Sequence, residues 1–152
     1  MRRGIRIGVD IGSVRVGVAA CDPDGVLATP VQTLRRGPGD LDGLARIVDA
    51  NQAIEVVVGL PLSLSGEDGP AAAATRAFAR DLARRVAPCP VRLVDERLST
   101  VAATRGMRER GVSARHGREL VDQAAAVVIL QSALDVERGS GRPPGEIVQV
   151  SE

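Results

Sequence analysis

The first 35 residues alternate apolar and polar side chains in period two. Ile5, Ile7 and Val9 alternate with Arg6, Gly8 and Asp10, the pattern of a strand with one face on a core. After the break Ile11-Gly12-Ser13, the alternation resumes at Val14, Val16, Val18 and Ala20, predicting a hairpin with the first strand. The turn Asp22-Pro23-Asp24-Gly25 leads into a third strand near Val26–Leu34. The spacing then becomes helical. Asp40 is placed to cap a helix whose Leu41, Leu44, Ala45 and Val48 share a face. Ile54–Gly59 is a short, continuously apolar run, as a buried parallel strand requires. A second helix is predicted over Pro70–Val86, with Ala71, Ala74, Phe78, Leu82 and Val86 inward, and a further strand over Val91–Val94. A third helix, about Ser99–Arg110, should end at Gly111. The fourth, about Arg118–Glu137, is apolar almost all round from Ala124 to Leu130 and should therefore be buried.

These elements predict an α/β fold: a mixed five-stranded sheet, three strands antiparallel and two parallel, flanked by helices. The first strand sits centrally. Residues 1–137 form one expected domain. Residues 138–152, with Gly-Ser-Gly and Pro-Pro, are expected to be a flexible tail. A chain of 152 residues suffices for one sizeable core and is too short for two ordinary domains.

Apolar content of 44% and charged content of 26% fit a globular protein, and no apolar run is long enough to span a bilayer. Met1-Arg2-Arg3-Gly4-Ile5 passes straight into the strand pattern without a signal-peptide core, so a cytoplasmic location is expected. Cys21 and Cys89 lie far apart and match no CxxC spacing; two reduced, partly buried thiols are expected. Net charge is only +1, and all 20 basic residues are arginine, a bias attributable to genome composition. Their distribution changes the picture. Arg92, Arg97, Arg105, Arg108, Arg110, Arg115 and Arg118 face only Asp95, Glu96 and Glu109 in that segment, a local balance of +4. This suits a phosphate backbone, although from charge alone a solvated helix face is the better account.

Ligands of open α/β sheets gather beyond the carboxyl ends of the parallel strands. Three features fall at such ends: Asp10-Ile11-Gly12, Gly59-Leu60-Pro61 and Asp95-Glu96-Arg97. Asp10 stands among apolar strand residues, where a carboxylate is costly unless compensated; a turn-initiating aspartate before Gly12 explains it equally well. Asp95 and Glu96 also read as a strand-ending acid pair partnered by Arg97. Asp122 lies one helical turn before Ala126 and two before Ile129, on a face predicted to meet the sheet. A helix cap is its structural alternative. Clustered carboxylates repel unless protonated or bound to a cation. Mg²⁺ or Mn²⁺ with oxygen ligands resolves this, and two such ions ~4 Å apart can act on a phosphodiester. The glycines Gly8, Gly12 and Gly59 would let backbone approach metal and phosphate, or they merely serve tight turns.

Four stretches together, GVDIGSVRVGVA (Gly8–Ala19), VVVGLPLSLSG (Val56–Gly66), DERLST (Asp95–Thr100) and VDQAAAVVILQSALD (Val121–Asp135), resemble the YqgF family, in order over roughly residues 5–136. These are Holliday-junction-resolvase-like nucleases linked in bacteria to maturation of the pre-16S rRNA 5′ end. The resemblance implies a ribonuclease-H-like fold and a divalent-metal endonuclease. Its catalytic and metal-binding carboxylates fall on Asp10, Glu96 (favoured over Asp95) and Asp122, with Gly12, Gly59 and Pro61 in the active-site loops. Arg15, Arg97, Arg105, Arg108, Arg115 and Arg118 are the expected nucleic-acid contacts. Two departures thin those contacts. The family's first motif usually carries a basic pair where this chain has Val14-Arg15, and the basic stretch before the last acid is reduced to Arg115-His116-Gly117-Arg118. His116, the sole histidine, is expected in an exposed loop. The implied partners are structured RNA or branched DNA and at most a second copy of the chain, with no membrane.

Two other classes compete. Sugar kinases and actin-like ATPases share an Asp-x-Gly opening, but they enclose nucleotide between two such domains, and no GxxxxGKS occurs here. A nucleic-acid-binding ribosome-assembly or recombination factor with little catalysis would keep the same fold. Phe78 is the only aromatic residue, which argues against base stacking and favours backbone and shape recognition. A four-way DNA junction and a structured precursor RNA remain equally open as substrates.

Overall fold

The computed structural model describes residues 1–63, 65–98 and 115–150, with side chains for all of these but Leu98 and residues 115–122. Strands β1 (Arg6–Ile11), β2 (Arg15–Cys21) and β3 (Ala28–Arg35) form an antiparallel meander, followed by α1 (Asp40–Asn51), β4 (Glu55–Leu60), α2 (Pro70–Val86), β5 (Val91–Asp95), α3 (Arg115–Ser140) and β6 (Glu146–Ile147). The sheet order is β3-β2-β1-β4-β5-β6, with β1, β4 and β5 mutually parallel. The expected mixed sheet is therefore present, with β1 inside it.

A sixth strand corrects the expectation of a flexible tail. α3 continues through Ser140, Glu146–Ile147 pairs antiparallel with β5, and Val148 is buried with its N–H on the Val91 carbonyl at 2.8 Å. The Gly- and Pro-rich link between helix and strand is a tight connection; Ile147 and Val148 supply the strand former and the core contact. Arg76 holds it from α2 through Glu146 at 2.8 Å.

Each sheet face carries its own core. Val9, Val16, Val18 and Val58 meet α1 and α2, while Ala19, Cys21, Val57 and Val94 meet α3. The inward face of α2 is Ala72, Thr75, Phe78, Ala79, Leu82, Ala83 and Val86, so the expected Ala71 and Ala74 lie outside it, exposed. An alanine-rich first turn has no large side chain to mark its face; tertiary packing chose it. α1 is capped at Gly39, and Asp40 is its first helical residue. β3 begins at Ala28, because the Asp22 carboxylate accepts the Val26 and Leu27 N–H groups at 2.9 and 2.8 Å and extends the turn. The expected third helix lies outside the described residues. Both cysteines are free, and burial pushes the Cys89 thiol up to about 11.

Candidate active site

α3 crosses the sheet antiparallel to β1, and two glycines set how closely. A Cβ on Gly8 would stand 2.6 Å from Leu130 Cβ and 2.9 Å from the Ala126 carbonyl. A Cβ on Gly59 would stand 2.5 Å from Ile129 Cδ1 and 2.8 Å from Glu96 Oε1. Both glycines therefore face α3. Asp10, two residues after Gly8, faces the same way by the period of the strand. Asp10 and Gly59 each follow directly on the parallel pair Val9↔Val58, so they are neighbours across β1 and β4.

Glu96 sits at the start of a 3₁₀ turn immediately after β5 and lays its carboxylate over the Gly59 backbone. The two acids thus share one face at the carboxyl ends of β1 and β5, on either side of β4 and its Gly59, Asp10 1% and Glu96 8% exposed. Asp95 goes elsewhere. Arg97 Nη2 lies 2.6 Å from its carboxylate, and chiefly that hydrogen bond holds the Asp95 carboxyl below its usual range. Of the two acids, Glu96 is therefore the one whose carboxylate lies on the face of Gly59 and Asp10. Arg97, expected on phosphate, holds the Asp95 carboxylate.

Asp122 lies in α3, one turn before the Ala126 that covers Gly8. Its neighbour Gln123 donates to Thr33 Oγ1 at 3.0 Å, and Thr33 lies in register with Gly17 and, through it, with Asp10. The helix backbone thus brings position 122 to the level of Asp10, although its side chain lies outside the described residues. Arg105 and Arg108, and the side chains of Arg115 and Arg118, lie outside them too. Pro61 turns the chain after β4, with the Leu62 N–H returning to the Leu60 carbonyl at 3.0 Å.

At the opposite rim Gly12 donates its N–H to the Arg15 carbonyl at 2.9 Å, and its own carbonyl accepts from Arg36 Nη1 at 2.8 Å. Arg36 also lies over the Phe78 ring, 4.9 Å from its centroid, a cation–π contact that braces it. Arg36 and its neighbour Arg35, which stands directly opposite Arg15, were not legible as site residues. Strand register places them there, and no local motif announces it.

The donor set fits a hard divalent cation. Carboxylate oxygens at the end of a sheet are what Mg²⁺ and Mn²⁺ take, and the missing Cβ at Gly59 makes the room that the Glu96 carboxylate occupies. Among the described residues no group of three His, Cys, Asp or Glu forms a complete site; the third acid of the expected set is Asp122.

The family model "RuvX: Holliday junction resolvase" matches residues 4–136. The chain belongs to the RuvX family. This is the family of the YqgF resemblance. A RuvX relative from Streptomyces coelicolor is 58% identical over 152 residues, 99% of this chain and 91% of its own length. One from Thermobifida fusca is 57% identical over 156 residues, 98% of each chain. Both carry the name "Putative pre-16S rRNA nuclease". Among solved structures, Thermus thermophilus RuvC in complex with a Holliday junction substrate superposes with a TM-score of 0.60 at 12% identity, over 93% of this chain and 99% of that one. At that identity the likeness speaks to the fold, which is the ribonuclease-H-like one.

Proposed function

We propose that this RuvX-family chain is a divalent-metal-dependent endonuclease acting on structured nucleic acid, in processing of the pre-16S rRNA 5′ end, resolution of Holliday junctions, or both. The observation that carries the reading is the convergence of Asp10 and Glu96, both buried, on one face at the ends of β1 and β5, with Gly59 of the intervening β4 where a side chain would crowd Glu96. Structural acids rarely occupy such a place. Asp10, Glu96 and Asp122 would hold Mg²⁺ or Mn²⁺. When bound, such ions polarise a phosphoryl oxygen and generate a nucleophile from water at neutral pH.

The chain's own residues prepare that chemistry. α3 and the flanking apolar strands exclude bulk water, so charge–charge interactions at this edge are stronger than in solvent. Gly8 and Gly59 let the helix close on the sheet, and Arg36 pins the Gly12 turn. A cytoplasmic setting belongs to the same proposal. The test is cleavage of a four-way DNA junction and of a structured precursor rRNA, with Mg²⁺, with Mn²⁺ and with EDTA. Asp10→Asn, Glu96→Gln and Asp122→Asn should each abolish cleavage of whichever substrate is cut while leaving the chain folded. Wild-type activity in purified Asp10→Asn would sink the assignment. Binding to either substrate without cleavage under any metal would leave a binding factor in place of an enzyme.

A further inference from the structure

We propose that Arg15 and Arg35 form a two-arginine clamp for a backbone phosphate next to the one attacked at Asp10; the role, though not the clamp itself, rests on the nuclease reading above. The register carries the argument. Asp10, Gly17 and Thr33 form one rung across β1, β2 and β3, and Arg15 and Arg35 stand opposite each other two residues further along. Thr33 reaches Gln123 of α3, so odd positions on this part of β3 face α3, as do Gly17 and Arg15 on β2. Both guanidinium groups therefore issue from the face that carries Asp10. Strand geometry places the Arg15 Cα ~8 Å from that of Asp10, one rung along (~6.8 Å) and one strand over (~4.8 Å). An arginine rooted that close to Asp10 keeps its guanidinium within reach of the phosphate next to the one at the acids.

Like charges directly opposite on one sheet face destabilise it unless something neutralises them. The other arginines close to a sheet face or strand end, Arg2, Arg6, Arg76, Arg92 and Arg97, hold carboxylates. Among the described residues Arg15 and Arg35 have no carboxylate, and Arg35 is exposed. Gly12, which follows β1 and stands opposite Arg15, raises no side chain over the pair. Two planar donors projecting from facing positions ~5 Å apart suit one tetrahedral anion shared between them. The contact reads no base. It fits a ligand recognised by backbone shape, which a chain whose only aromatic residue is Phe78 must use.

The test is equilibrium binding in EDTA, where no cleavage intervenes, of a labelled four-way DNA junction and of a labelled hairpin RNA at a series of salt concentrations. Arg35→Gln and Arg15→Gln should each lower the slope of log K against log salt by about one and weaken binding several-fold at fixed salt, on whichever probe binds. Arg84→Gln, which removes an α2 arginine paired with Asp81, should leave the slope unchanged. Relief of repulsion should leave the melting temperature of Arg35→Gln at or above wild type in low salt. An unchanged slope for Arg35→Gln overturns the clamp, as does a variant that melts well below wild type, because the arginine would then be structural. Metal-dependent cleavage by the wild type, run in parallel, separates the two readings. Cleavage with an unchanged slope removes the clamp alone; an arginine-dependent slope without cleavage removes the nuclease and keeps the phosphate site.

Discussion

The two ends of the parallel strands treat charge in opposite ways. At the amino end, Arg6 opens β1, Glu55 opens β4 and Arg92 lies near the start of β5, with Arg2 and the α3 residue Glu137 completing a network. Arg2 Nη2 lies 2.7 Å from Glu137 and 3.2 Å from Glu55, Arg6 Nη2 lies 3.0 Å from Glu137, and Arg92 Nε lies 3.0 Å from Glu55. Every acid there has two arginines, and Arg6 and Glu137 are almost wholly buried. At the carboxyl end, two buried acids share a face with an arginine pair that lacks a carboxylate, and glycines thin the backbone between helix and sheet. The lesson is one of division of labour: the first end clamps α3 to the sheet, while the second gathers its charges on one sheet face, as the proposed site requires.

The largest stability effect should come from breaking the clamp. Glu137→Gln leaves Arg6 buried without its counter-ion, and removing one partner of a buried pair costs about 3–5 kcal/mol. Denaturant titration should show this loss, with any activity falling only in proportion to the folded fraction. An active-site variant such as Asp10→Asn should show the reverse, activity lost and stability kept. If the two profiles match, the ends are not functionally distinct.

Acid should reveal the same clamp with a somewhat smaller effect. The hydrogen bond from Arg2 is the largest cause that depresses the Glu137 carboxyl, to about 2 in the folded chain from an ordinary value of 4.5. A depressed carboxyl contributes stability that is fully present above the unfolded value and is lost as pH falls through the folded one. The window is therefore about pH 4.5 down to 2, and the loss is about 3 kcal/mol. Urea midpoints measured across that window should fall in wild type and fall much less in Glu137→Gln. Equal slopes in both chains would remove Glu137 from the account.

The smallest stability change should separate packing from chemistry at the other end. Gly59→Ala places a methyl group against Ile129 and the Glu96 carboxylate, an overpacking cost of about 1–3 kcal/mol. Because Glu96 must move to admit it, cleavage should fall by more than the folded fraction does. Activity that tracks stability alone would show that the position of Glu96 is unimportant.

Much of the fold was legible from local period. The alternation Ile5-Ile7-Val9, the apolar run before Gly59 and the apolar wrap of Ala124–Leu130 each specify a face, and α2 spans the expected Pro70–Val86. Asp10 and Glu96 stood out as acids at strand ends. What was not legible depends on contacts between distant segments. The side of α2 that packs inward turned on neighbours, since alanine fits either face. The tail gained a strand because β5 offered an unpaired edge, which Gly and Pro content does not reveal.

By itself the sequence determined the order and type of β1 to β5 with α1 and α2 between them, the central place of β1, and acids at the ends of β1 and β5, because periodicity and strand ends are local properties. Only the tertiary structure decided that Glu96 and not Asp95 turns over Gly59, that Arg35 meets Arg15, and that residues 146–148 close the sheet. Each of these is a matter of register or of approach between backbones. A slip of one residue would send every side chain of a strand to the opposite face, and packing across the whole sheet selects among such registers.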